Sequence, residues 1–166
     1  MTWFIAPEYW FARQVLVRGV AVVYLIAFVS AARQFRALIG EHGMLPVPRW
    51  VARRPFRVSP SIFHFHYSDR FFAAVAWGGA AVSAALAGGA GELLPLWAVM
   101  GIWLAVWVLY LSIVNVGQVW YSFGWESLLL EAGFLVIFLG NDRVAPPVLC
   151  CGWPAGWCSG WNSAPD

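Results

Sequence analysis

The chain has 166 residues, of which 61% are apolar and only 11% charged, with a mean hydropathy of +0.70. Soluble domains carry roughly 25% charged residues, and a chain this short buries only about two-thirds of its surface on folding. A water-soluble enzyme, a disordered tail and a disulfide-stapled secreted module are therefore disfavoured, and a multi-span membrane protein is indicated. All ten basic residues behind the net charge of +2 are Arg. They are dispersed and form no nucleic-acid footprint, so no nucleic-acid partner is expected.

The first fourteen residues carry Trp3, Phe4, Tyr9, Trp10 and Phe11. Aromatic rings favour the headgroup zone, so 1–14 reads as an interfacial segment. Residues 15–32 (VLVRGVAVVYLIAFVSAA) are long enough to cross a bilayer core of ~30 Å as a helix. Arg18 lies near enough to the start of this span to snorkel to the surface. A secretory signal with Val29-Ser30-Ala31 as cleavage site is the competing reading. Glu8 and the aromatic start suit an anchor better.

Residues 33–70 form the main polar loop, with seven Arg (33, 36, 49, 53, 54, 57 and 70) among Gly and Pro turn formers. By the positive-inside rule so basic a short loop faces the cytoplasm. A second span is predicted over 71–90, rich in small residues. Gly79, Ser83, Ala87 and Gly91 recur every fourth position. Such a face lets membrane helices approach closely, so this helix is expected inside a bundle.

From Leu93 to Trp125 there is no charge for 33 residues. One straight helix of that length would be ~50 Å long, too long for a single crossing. A break is predicted near Asn115–Gly117 or at Gly124, giving a third span at 93–114 and a fourth at 119–140. Pro95 falls in the first turn of the third, where its missing N–H is harmless. The fourth carries Glu126 and Glu131, and a shorter re-entrant segment is its alternative.

Carboxylates at membrane depth are costly and mark interior or wet positions. Five positions apart on a helix, Glu126 and Glu131 point about 140° from each other and cannot work as an acid–base pair. Glu126 is expected at the interface, and Glu131 inside the bundle with a hydrogen-bonded partner. Asn115 and Gln118 are expected to satisfy backbone groups freed at the break and to bond across helices. His64, His66 and Asp69 need conflicting local structures to share one ion, and Cys150, Cys151 and Cys158 fit neither zinc spacing nor a disulfide framework. No nucleophile–base pair or phosphate loop is recognisable. No catalytic residue, cofactor or metal is expected, and the chain does not read as an enzyme.

Ser112 to Leu139 reads SIVNVGQVWYSFGWESLLLEAGFLVIFL, and Tyr24 to Pro48 reads YLIAFVSAARQFRALIGEHGMLPVP. Both stretches resemble the lipase maturation factor family of multi-pass membrane proteins. The loop match centres on Gly40, Gly43, Leu45 and Pro46. In the later motif the matching positions are Asn115, Gly117, Gln118, Tyr121, Ser122, Phe123, Gly124, Trp125, Glu126, Ser127 and Glu131. The resemblance covers roughly residues 10–148. It implies an all-α transmembrane bundle of about four spans, part of a longer architecture.

It also implies a folding factor that helps secreted lipases reach their active, assembled form, with the lipid bilayer and a client lipase as partners. Eukaryotic members sit in the endoplasmic reticulum membrane. The all-Arg composition leans towards a bacterium and its cytoplasmic membrane. The family's usual drawing places the loop at 33–70 on the lumenal side, against the Arg count, and both orientations stay open. The rival is an intramembrane enzyme or small-solute transporter using Glu131 and polar residues of the bundle. A third reading is a purely structural membrane subunit.

The tail 149–166 (LCCGWPAGWCSGWNSAPD) departs from the family pattern. Shifted by one base, permissible codons for it encode a peptide resembling the Arg-bearing helix that family members carry next. A truncating frameshift is the expectation.

Overall fold

The structure, a computed structural model, describes residues 7–139. The anomalous tail and residues 1–6 lie outside the described residues. Five α-helices follow in order: α1 (Pro7–Leu38), α2 (Val47–Arg53), α3 (Asp69–Ala87), α4 (Leu96–Val116) and α5 (Gly124–Leu139). Three 3-10 turns join them, Ile62–His64, Ala90–Leu93 and Gln118–Tyr121. Among the described residues there is no strand. The chain is all-α.

Among the described residues, three helices are long and apolar enough to cross a membrane: Arg13–Leu38, Asp69–Ala87 and Leu96–Val116. In the most apolar stretch of each, only 33–39% of residues are buried inside the protein. The remaining surface carries side chains such as Val22, Ile26, Leu104 and Val108, as lipid-facing helices require. The fourth expected span corresponds to α5. Its 16 described residues amount to ~24 Å of helix, and it begins at Gly124 rather than at 119 because 119–121 belong to a 3-10 turn.

α1 and α3 run antiparallel. Phe35 near the end of α1 stacks on Phe72 at the start of α3, with centroids 4.5 Å apart. At the opposite end Arg18 of α1 reaches Glu92, just beyond α3. The core is aromatic: Tyr24 and Phe28 of α1 meet the ring of Tyr110 of α4 edge-on, at 5.3 and 5.4 Å. Edge-to-face pairs add to plain burial because ring edges and faces carry opposite partial charge.

The small residues let α1 and α3 close on each other. Gly79 is buried beneath Phe28, and a Cβ placed there would lie 2.5 Å from that ring. Ser83 is buried on the same face. Gly91, expected to continue this face, does not. The helix ends at Ala87, and Gly89 turns the chain with a positive φ of 91°, a conformation glycine adopts without steric cost.

Candidate functional site

The two motif stretches meet at one end of the bundle. Gly40 and Gly43 make the tight turn that leaves α1. A Cβ on Gly40 would lie 2.7 Å from the Arg36 carbonyl oxygen, and one on Gly43 would lie 2.9 Å from the Gly40 nitrogen. The turn delivers Leu45 and then Pro46, which caps the start of α2. On the other side α4 stops at Val116 and Gly117, where the ring of Tyr121 fills the space a side chain would need. Gln118 adopts a positive φ of 54°, unusual for a residue with a side chain. That geometry accompanies a specific bond. The Gln118 side-chain amide donates to the Leu45 carbonyl oxygen at 3.0 Å.

A second set of bonds fastens the loop to the end of α4. Asn115 Nδ2 donates to the Pro60 carbonyl oxygen at 2.6 Å, and Ser59 Oγ donates back to the Asn115 carbonyl oxygen at 3.1 Å. Ser61 Oγ donates to the Ser112 carbonyl oxygen at 3.1 Å, and Ser112 Oγ accepts from the Ile62 backbone N–H at 3.3 Å. Asn115 and Gln118, expected to satisfy backbone groups freed at the break and to bond across helices, instead donate to the carbonyls of Pro60 and Leu45. Their acceptors are loop carbonyls rather than neighbouring helices.

The same end holds a reciprocal pair across the loop. Glu41 N–H donates to Asp69 Oδ1 at 3.0 Å, while Asp69 N–H donates to Glu41 Oε1 at 3.3 Å. Tyr67 donates to the Ile39 carbonyl oxygen at 3.1 Å. Burial, reinforced by the neighbouring Asp69 carboxylate, pushes its phenol well above the usual tyrosine range. Asp69 is therefore engaged in fixing the start of α3. His64 Nε2 lies 3.2 Å from the Arg54 carbonyl oxygen, and among the described residues no group of His, Cys, Asp and Glu is arranged to hold a metal.

The two glutamates are placed the other way round from expectation. Glu126 is buried, 2% exposed, and accepts a hydrogen bond from the Tyr110 hydroxyl. Glu131 lies on the exposed side of α5. The reason is helical phase. Glu126, Leu129, Gly133, Val136 and Ile137 share the inward face, and position 131 falls off it. Gly133 lies against Tyr24, whose hydroxyl donates to the Leu129 carbonyl oxygen at 3.1 Å. Of the remaining motif residues, Ser122 and Ser127 bond locally, to the carbonyls of Gln118 and Gly124 at 2.5 and 2.8 Å. Phe123, Gly124 and Trp125 are exposed.

Between the second half of α1 and the break lies a cavity of about 420 Å³. Ala27, Ser30, Gln34 and Leu38 form one wall. Tyr110, Trp120, Tyr121, Phe123, Trp125 and Glu126 form the other. Sequence reasoning missed Tyr24, Tyr110 and Ser112. Each is an isolated hydroxyl in an apolar run, and that was the available signal, because a buried hydroxyl needs a partner.

This arrangement brings together the segments on which the resemblance rests, and comparison with known proteins agrees with it. Residues 11–159 match the family model described as the lipase maturation factor transmembrane domain. That match runs past Leu149, where the sequence pattern departs. Lipase maturation factor 1 of Bos taurus is 42% identical over 171 aligned residues, covering 95% of this chain and 29% of that protein. Lipase maturation factor 1 of Mus musculus is 39% identical, over 79% of this chain and 24% of that protein. Lipase maturation factor 2 of Homo sapiens is 36% identical, over 80% of this chain and 20% of that protein. No solved structure matches the chain. The chain spans less than a third of the length of these relatives, and across most of its own length it belongs to the lipase maturation factor family.

Proposed function

We propose that the chain is the membrane-embedded part of a maturation factor that helps a secreted lipase reach its active, assembled form. The observation that carries this reading is the Gln118–Leu45 hydrogen bond, which joins the two resembling segments into one rim at the end of the bundle. That rim exposes apolar side chains beside the polar seam: Met44, Val119, Phe123 and Trp125 are each more than half exposed. Apolar groups held on a rigid frame suit transient contact with an unassembled protein, whose own apolar surfaces are still uncovered.

The polar groups of the seam hold backbone in place and form no nucleophile–base pair, which supports a role through contact rather than catalysis. The rival transporter or intramembrane enzyme relied on Glu131, which lies on the outward side of α5. The membrane of action is the endoplasmic reticulum if the host is eukaryotic and the cytoplasmic membrane if it is bacterial.

The test is association. Tagged chain, solubilised in mild detergent from cells making a secreted dimeric lipase, is expected to co-purify with the inactive, unassembled lipase and not with the mature dimer. Recovery of neither form, or of the mature dimer alone, would contradict the proposal.

A further inference from the structure

The cavity between α1 and the break combines aromatic residues with one carboxyl-bearing residue. Five aromatic side chains border it, Tyr110, Trp120, Tyr121, Phe123 and Trp125, together with Glu126. Among the described residues that line it, Glu126 is the carboxyl-bearing one, and no Arg or His shares the wall. Tyr110 donates to one carboxylate oxygen, Oε2, and a carboxylate has further acceptor capacity on its second oxygen. Aromatic faces carry negative partial charge and attract cations, quaternary ammonium groups above all. Such a lining suits a positive charge.

The position narrows the source of that charge. Non-helical backbone is tolerated where a span meets the headgroup region, and the 3-10 turn Gln118–Tyr121 supplies two of the aromatic residues. Trp and Tyr concentrate at that depth. The facing wall, on the last turns of α1, offers the exposed neutral groups Ser30 and Gln34. Arg33 is also exposed, three positions after Ser30 and hence its neighbour on the helix surface. Aromatic residues and a carboxyl-bearing residue thus line a cavity beside hydroxyl, amide and guanidinium donors. A zwitterionic phospholipid headgroup presents the matching pair, an ammonium and a phosphate.

We propose that this cavity binds the choline or ethanolamine headgroup of a membrane phospholipid. The ammonium lies among Trp120, Trp125 and Glu126, and the phosphate faces Ser30, Gln34 and Arg33. The proposal does not depend on any lipase client.

The experiment is native mass spectrometry of the detergent-purified full chain, titrated with phosphatidylcholine, phosphatidylethanolamine and phosphatidylglycerol of identical acyl chains. The ammonium lipids are expected to bind on the order of tenfold more tightly than phosphatidylglycerol. Glu126→Gln is expected to erase that preference. Because Glu126 is buried, Trp120→Leu and Trp125→Leu serve as the second test. Both positions are exposed, and both changes keep apolar area while removing the π face. Each is expected to cut the preference severalfold without altering helical content. Equal affinity for the three lipids overturns the proposal, as does a preference that survives both tryptophan substitutions. Tetramethylammonium alone binding as tightly as the phospholipid would assign the site to a soluble amine and overturn the lipid assignment.

Discussion

The side-chain amide of Gln118 donates to the carbonyl oxygen of Leu45 at 3.0 Å, joining residues 73 positions apart. It closes the loop after α1 onto the break between α4 and α5, and it does so from a left-handed backbone at Gln118. A net hydrogen bond contributes about 1 kcal/mol, and a non-glycine residue in that conformation costs about 1–2 kcal/mol. The two effects separate on substitution. Gln118→Ala loses the bond and keeps the strain, whereas Gln118→Gly loses both. Thermal unfolding in detergent should rank Gln118→Gly above Gln118→Ala by about 1 kcal/mol. The reverse order would mean that the backbone at 118 is not left-handed.

Glu126 and Tyr110 form a buried polar pair inside the bundle. Removing one partner leaves the other unsatisfied at a cost of about 1–3 kcal/mol, while replacing both with apolar groups is far milder. Tyr110→Phe should therefore lower stability, and Tyr110→Phe/Glu126→Leu should recover part of the loss. A double-mutant cycle from the unfolding curves checks this. Strict additivity would show that the two side chains do not interact.

Gly133 packs against the Tyr24 phenol, and a Cβ there would lie 2.7 Å from the ring carbon that bears the hydroxyl. Gly133→Ala is expected to destabilise by about 1–3 kcal/mol through overpacking. The hydroxyl is the nearest obstacle, so adding Tyr24→Phe to Gly133→Ala should cost less than Tyr24→Phe in the parent chain. In the parent that change sacrifices the bond to the Leu129 carbonyl. Equal costs in the two backgrounds would argue against this packing.

The Arg18–Glu92 ion pair at the opposite end is short, at 2.6 Å, yet both side chains are nearly half exposed, 46% and 44%. Solvent screening limits such pairs to about 0–1 kcal/mol. Glu92→Gln should change the unfolding temperature little, and less than Gln118→Ala does. A larger loss would place this pair in a drier setting than its exposure indicates.

The helical architecture was readable because its causes are local in sequence. Apolar runs of span length, Gly117 and Gly124 at the break, and Gly79 on a small-residue face each act through backbone or helix geometry near themselves. The placement of the glutamates was not. Hydropathy says that a carboxylate in an apolar stretch is costly, but which one turns inward depends on the phase of α5 against α1 and α4. In that phase Gly133 lies against Tyr24. Gly91 failed as part of the small-residue face because Gly89 ends the helix first. The partners of Asn115 and Gln118 are carbonyls of Pro60 and Leu45. Backbone acceptors leave no residue-type signature, so the seam was visible only in three dimensions.

On the proposed function, the rim joining the 40–46 turn to the break is what acts on a lipase. The most direct measurement is the specific activity of a secreted dimeric lipase at equal lipase protein, in cells lacking their own maturation factor. Three arms are compared: the wild-type chain, Gln118→Ala at matched membrane abundance, and no chain. A rise in specific activity is expected with the wild type and a markedly smaller one with Gln118→Ala. Equal lipase activity in all three would contradict it.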